Sequence, residues 1–189
     1  MTKLTIFPRK SLSKGETNKL RREGNVPGIL YGRGQANDPI YLKGEEVQAV
    51  LRTAKGGTLA TTVFELHDGK KAHRAILKDI QYHPASYAVQ HVDFVTLDDN
   101  QPITVSVPIR VTGAADCPGV KLGGFLRQVI RTLKVSCLPN QIPSEFVLDV
   151  SQLEIAGSKR LLDIAIPDGV RPLGRMNEVA VVIAKSKAS

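Results

Sequence analysis

A mainly β fold with short helices, divided into two β-rich units, is what this sequence predicts. Three observations predict it. Hydrophobic residues make up 42% of the chain while aromatics are only 5% and Trp is absent, so the cores must be built from Val, Ile and Leu, which favour pleated sheet. Short alternating segments bounded by turn residues outnumber helical ones. The 189 residues exceed what one small domain needs, and they suffice for two buried cores. The same apolar content excludes a disordered basic tail.

Six strands and two helices are expected over residues 1–96. Leu4–Phe7 alternates and reads as the first strand. Ser13–Thr17 leads into a short helix, Asn18–Glu23, which Gly24 ends. Pro27–Gly32 is a glycine-bracketed strand, Arg33–Asp38 a polar turn, and Pro39–Leu42 a further strand. Val47, Val50 and Leu51 recur at helical spacing, so Lys43–Arg52 is assigned as a helix. Leu59–Leu66 and Lys71–Gln81 are strands joined by the Asp68-Gly69 hairpin signal, and Tyr87–Val95 is the sixth. Short, turn-linked strands of this number suit a closed or nearly closed barrel.

Leu97–Pro102 is acidic, turn-rich and poor in apolar residues, which makes it the domain boundary. A second, all-β domain is expected over residues 102–185. Its strands are Ile103–Val111, Gln128–Val135, Val147–Val150 and Val179–Ile183. Val120–Gly124 reads as a glycine-rich turn, Val150–Leu153 as a turn or a single helical turn, and Lys185–Ser189 as a frayed tail. There is no internal repeat.

The charge is unevenly placed. The net charge is +8 and the pI about 9.6, but residues 1–33 alone hold eight basic side chains against Glu16 and Glu23. Six of the eight net charges therefore sit at one end, and 18 bases face 16 acids downstream. Such polarity is expected of a polyanion-binding face. Cys117 and Cys137 are too few for a secreted disulfide scaffold and are expected as buried free thiols. With neither a signal core nor a run of about 18 apolar residues, a cytoplasmic protein is expected, away from membranes.

Three groups of residues could carry chemistry. Arg9, Lys10 and Lys14, with Lys19, Arg21 and Arg22 in the following helix, can form charge-assisted bonds to phosphate. A solvated basic loop is the plainer reading, and the glycine–lysine spacing is wrong for a nucleotide phosphate loop. Tyr31, between Gly28 and Gly32, either offers an open ring to bases and riboses or packs as a core tyrosine. Gln81 with His83, and His91 with Asp93, each share a strand face by period two and could read base edges and 2′-hydroxyls. A carboxylate there would reject misplaced phosphate, so Asp93 would add selectivity more than affinity. The same His and Asp residues could serve as acid and base on a phosphodiester, yet no nucleophile accompanies them and no spaced metal-ligand motif is present. Neither catalytic nor metal-binding residues are expected.

These residues also carry a resemblance. Arg9-Lys10, Lys14-Gly15, Leu20-Arg21, Pro27-Gly28-Ile29-Leu30-Tyr31-Gly32, Gln81-Tyr82-His83-Pro84 and His91-Val92-Asp93-Phe94 resemble the 5S-rRNA-binding family numbered twenty-five in the bacterial large ribosomal subunit. Gly119–Gly124, Cys137-Leu138-Pro139, Ile142-Pro143 and Asp149-Val150-Ser151 resemble the extra domain of its long form, the general stress protein CTC. The resemblance implies a barrel-like first domain on the loop E and helix IV region of 5S rRNA. Loop E is a stack of irregular pairs ordered by magnesium, an ion held by the RNA rather than the protein.

By position, Arg9, Lys14, Arg21, Tyr31, Gln81, His91 and Asp93 match residues the family uses on RNA, and His83 lies within the motif. The implied partners are 5S rRNA and other large-subunit components, with a monomer off the ribosome and no small-molecule substrate. A stress-linked binder using the same surface off the ribosome is the second reading, and a phosphodiester-cleaving enzyme the third. The chain departs from the family at Asn18, where Arg is common, and at Lys134, Lys159 and Arg160, where acidic or neutral residues are common. Those three cations could give the second domain an RNA contact of its own.

Overall fold

The computed structural model describes residues 2–9, 13–32, 37–54, 57–69 and 71–185. The chain divides into two compact units, Met1–Gln101 and Pro102–Ser189. No helix among the described residues is long and apolar enough to cross a membrane.

Unit one contains β1 (Thr2–Pro8), α1 (Lys14–Arg22), β2 (Asn25–Tyr31), β3 (Asp38–Lys43), α2 (Gly44–Thr53), β4 (Val63–His67), β5 (Ala72–Tyr82) and β6 (Val89–Thr96). The strands close a barrel in the order β1-β3-β2-β6-β5-β4. Two parallel pairings complete the ring, β1 with β4 and β2 with β6. Alternation puts Leu4, Ile6, Leu30, Leu42, Leu66, Val92 and Phe94 inside, nearly sealed from solvent. The Phe64 and Phe94 rings meet edge to face at 5.9 Å. Helix α2 lays Val47, Val50 and Leu51 on this core.

Two expectations for unit one change. Helix α1 starts four residues earlier than its apolar pattern suggests, because the Ser13 hydroxyl accepts the Glu16 N–H and caps it. The segment expected as one strand, Leu59–Leu66, opens instead as a 3-10 helix, Thr58–Thr61. The Thr61 and Thr62 hydroxyls both donate to the Thr58 carbonyl and draw the chain into that turn. Past α1, Gly24 takes φ +79° and its carbonyl accepts the Gly44 N–H, at a contact with no room for a Cβ on Gly44.

Unit two contains β7 (Ile103–Thr112), α3 (Pro118–Lys121), β8 (Gly124–Gln128), β9 (Thr132–Cys137), β10 (Phe146–Asp149), β11 (Ser158–Arg160), β12 (Arg171–Pro172) and β13 (Val179–Lys185). They form a four-stranded sheet, β10-β7-β9-β12, and a three-stranded sheet, β11-β13-β8. Val105, Val107, Leu133, Val135, Phe146, Leu148, Val181 and Ile183 are buried. Cys117 and Cys137 are free and buried.

The single strand expected over Gln128–Val135 is two strands in two sheets. At the corner, the N–H groups of Val129 and Ile130 both donate to the Ala180 carbonyl, while Arg131 offers its carbonyl to Ile109 N–H. The Gln128 amide donates to the Ile109 and Ile130 carbonyls, so the bend leaves those groups satisfied. Val120–Gly124, expected as a turn, contains the end of the single helical turn α3, with Pro118 at its start and Gly123 at φ +87° after it. Strands β11 and β12, three and two residues long, are too short for periodicity to reveal.

One glycine is dictated by barrel packing. A Cβ on Gly28 would lie 2.7 Å from the Val92 carbonyl oxygen and 2.8 Å from Val92 Cγ2. Gly28→Ala must therefore spread β2 from β6, and overpacking of this kind costs about 1–3 kcal/mol. Urea unfolding should show a lower midpoint with an unchanged slope; a midpoint equal to the parent's would contradict the packing argument.

Candidate nucleic-acid interface

The outer wall formed by β2, β6 and β5 gathers most of the candidate residues. On β6, Val92 and Phe94 point into the barrel, so His91 and Asp93 point out. On β5 the same rule fails. Ala75 and Leu77 are core residues, and an unbroken pleat would turn Asp79 and Gln81 inward behind them. The register shifts between Leu77 and Asp79: Leu77 pairs with Phe94, then Asp79 with Asp93, Ile80 with Val92 and Gln81 with His91. Lys78 is the extra residue of this bulge. Beyond it Ile80 packs on the core, while Asp79 and Gln81 face solvent.

Gln81 thus stands directly opposite His91 and Asp79 opposite Asp93. His91 Nδ1 lies 2.7 Å from Asp93 Oδ1, an ion pair whenever the imidazole is protonated. Tyr31 closes the β2 side of the group. It is half-buried, and its hydroxyl is held above the ordinary 10.0 by burial first, then by the negative charges of Asp93 and Asp79. The phenol therefore stays a neutral donor. Like-charged residues facing each other across strands repel, so the Asp79–Asp93 pair is a local cost that a partner rich in donors would relieve.

Helix α1 supplies the cations. Arg21 Nε and Nη2 donate to the Gln90 carbonyl at 3.3 and 3.1 Å, which holds its guanidinium beside His91. Arg9 Nη2 donates to Thr17 Oγ1 at 2.8 Å and fixes the start of the helix against the end of β1. Lys19, 4.0 Å from Glu23, and Arg22 lie in the last turn, where the helix dipole favours positive charge. Lys14 is exposed at the first turn, where the dipole opposes it.

Two candidates fall elsewhere. His83 lies one residue past β5, so it does not share a strand face with Gln81, and its Nδ1 accepts the Ala85 and Ser86 N–H groups of a turn. Lys10 lies outside the described residues. The sequence reading gave Asp79 no role, although period two puts it on the same face as Gln81 and the bulge turns both outward. It also missed the Phe7–Tyr41 stack at 5.0 Å, formed by outward residues of β1 and β3.

In unit two the three noted cations are dispersed. Lys134 is on β9, whereas Lys159 and Arg160 are on β11 of the other sheet. Lys159 faces Asp149. The Asp149 carboxyl is held below its usual range mainly by the Ser151 N–H and hydroxyl, with Lys159 adding to the effect.

A closed barrel with this outer wall, joined to a second β unit, can hold a polar, anionic partner. No cluster of three metal-ligating side chains occurs among the described residues. Residues 4–94 match the model of the ribosomal L25p family, and residues 102–187 match that of the ribosomal protein TL5 C-terminal domain. The two matches set the class: a two-domain ribosomal protein, a structural protein and not an enzyme. The large ribosomal subunit protein bL25 of Chlamydia trachomatis serovar L2 is 40% identical over 182 residues, 96% of this chain and 98% of that protein. The proteins of the same name from Chlamydia muridarum and Chlamydia pneumoniae are 38% and 35% identical over the same share of each chain. The chain belongs to the L25p family, in its two-domain form.

The electrostatics of the wall can be read out directly. Changing Asp79 and Asp93 to Asn should lower the Tyr31 pKa towards 10.0 without reaching it, since burial remains. Ring-carbon NMR across the alkaline range would follow this. An unmoved or rising value would show that the two carboxylates do not face the phenol.

Proposed function

We propose that the protein is a constituent of the large ribosomal subunit that binds 5S rRNA at the loop E and helix IV region through the β2–β6–β5 wall and helix α1. The observation that carries this reading is the placement of Tyr31, Asp79, Gln81, His91 and Asp93 on one outer face, with Arg21 pinned beside them. Cations on α1 take phosphates on either side of an irregular helix. The amide, imidazole and carboxylates accept from, or donate to, base edges and 2′-hydroxyls in its minor groove. The carboxylates repel a regular backbone that would bring phosphate to the same place.

The protein then works in the cytoplasm, on the ribosome, with 5S rRNA and neighbouring large-subunit components as partners. It is a monomer away from the ribosome and needs no cofactor; magnesium is held by the RNA.

A salt titration against a 5S rRNA fragment tests the reading. Affinity should fall steeply with salt because several phosphates are neutralised together. Replacing loop E by a regular duplex should weaken binding. His91→Ala or Asp93→Ala should each cost about 1–3 kcal/mol on the intact fragment and much less on the duplex. Equal affinity for both RNAs would refute loop E recognition.

A further inference from the structure

We propose that the outer face of sheet β10-β7-β9-β12 in unit two is a second RNA-binding surface, one that takes phosphodiester backbone. Alternation settles what this face presents. Val105, Val107, Leu133, Val135 and Cys137 point into the core of the unit. Register then places Thr104, Ser136 and Arg171 in one row across β7, β9 and β12, and Ser106 beside Lys134 in the next. Thr132 follows opposite Pro108. The β7-β9-β12 part of the face thus presents four small hydroxyl side chains and two cations, while Arg110 and the exposed Val147 and Asp149 of β10 lie towards its other edge.

Those two cations differ from the paired Arg110 and Lys121, whereas Arg127 and Lys185 on the other sheet are likewise without an ion pair among the described residues. Arg110 lies 3.2 Å from Glu145, Lys121 4.0 Å from Asp116, and Lys159 acts on Asp149. Among the described residues, Lys134 and Arg171 have no acidic partner within ion-pair distance. They are exposed diagonal neighbours on adjacent strands, about 7–8 Å apart at the backbone. That separation suits neighbouring phosphates of one strand.

The hydroxyls make the ligand more specific than a generic anion. Ser and Thr both donate to phosphate oxygens and accept from ribose 2′-hydroxyls, and their small size leaves the sheet flat enough for a backbone to lie along it. An acidic protein segment would leave this accepting capacity unused. The surface is on a different unit from the barrel wall, and the inference does not rest on 5S rRNA being the partner of that wall.

The test uses the full chain and protein-free large-subunit rRNA, without 5S rRNA, as the probe. Lys134→Glu with Arg171→Glu is compared with a charge-matched control on the other sheet, Arg127→Glu with Lys185→Glu. The first pair should weaken binding by about ten-fold or more and make the log affinity against log salt slope shallower by about 1.5–2, the loss of two phosphate contacts. The control should lose less than about a third as much affinity, with the slope kept. Unchanged binding, or equal losses from both pairs, overturns the proposal. If the first pair unfolds by circular dichroism, Lys134→Gln with Arg171→Gln removes the same contacts and must give the same slope change. The affinity of each variant for the 5S rRNA fragment is read in parallel and should stay at the parent's value, so failure of the barrel-wall reading would appear there alone.

Discussion

The bulge at Lys78 governs what the barrel can present. Before it, β5 gives Ala75 and Leu77 to the core; after it, Asp79 and Gln81 reach solvent while Ile80 takes over the inward position. A side-chain period of two has no tolerance for a slip of one, so a single inserted residue exchanges the faces for the rest of the strand. The core keeps its aliphatic lining, and the outer wall acquires Asp79 opposite Asp93 and Gln81 opposite His91. Without the bulge, Asp93 would face Lys78 and His91 would face the apolar Ile80.

Charge is divided between two elements with different tasks. Helix α1 and the chain before it hold the cations that attract a polyanion from a distance, while the wall beneath holds carboxylates that make close approach conditional. An all-cationic wall would bind any duplex. One that sets Asp79 against Asp93 and keeps Tyr31 protonated offers a mixture of donors and acceptors at fixed places, and only a partner with the complementary pattern offsets the repulsion.

Much of this was legible in the residues. Alternation in Leu4–Phe7 and Ile103–Val111, and the helical spacing of Val47, Val50 and Leu51, correspond to β1, β7 and α2. The motifs around Tyr31, Gln81 and His91 carried the family, which the comparisons show. What stayed hidden has physical causes. The outward turn of Asp79 and Gln81, opposite to that of Ala75 and Leu77 on the same strand, depends on a bulge, and a bulge is decided by the strand pairing with it rather than by its own residues. His83 was placed on a strand because nothing local shows that its ring accepts two backbone N–H groups. The corner after Gln128 is set by a carbonyl on β13, some fifty residues away in sequence.

The contact between Gly24 and Gly44 has a thermodynamic implication. By bonding the chain just past α1 to the first residue of α2, it fastens the cation-bearing helix to an element that is itself embedded in the barrel core. Arg9 fastens the opposite end through Thr17. A helix held at both ends gives up little motional freedom when a partner arrives, so less of the gross attraction is consumed by ordering. Its nine residues would be marginal as a helix alone; mounted this way, they are ordered before any partner arrives.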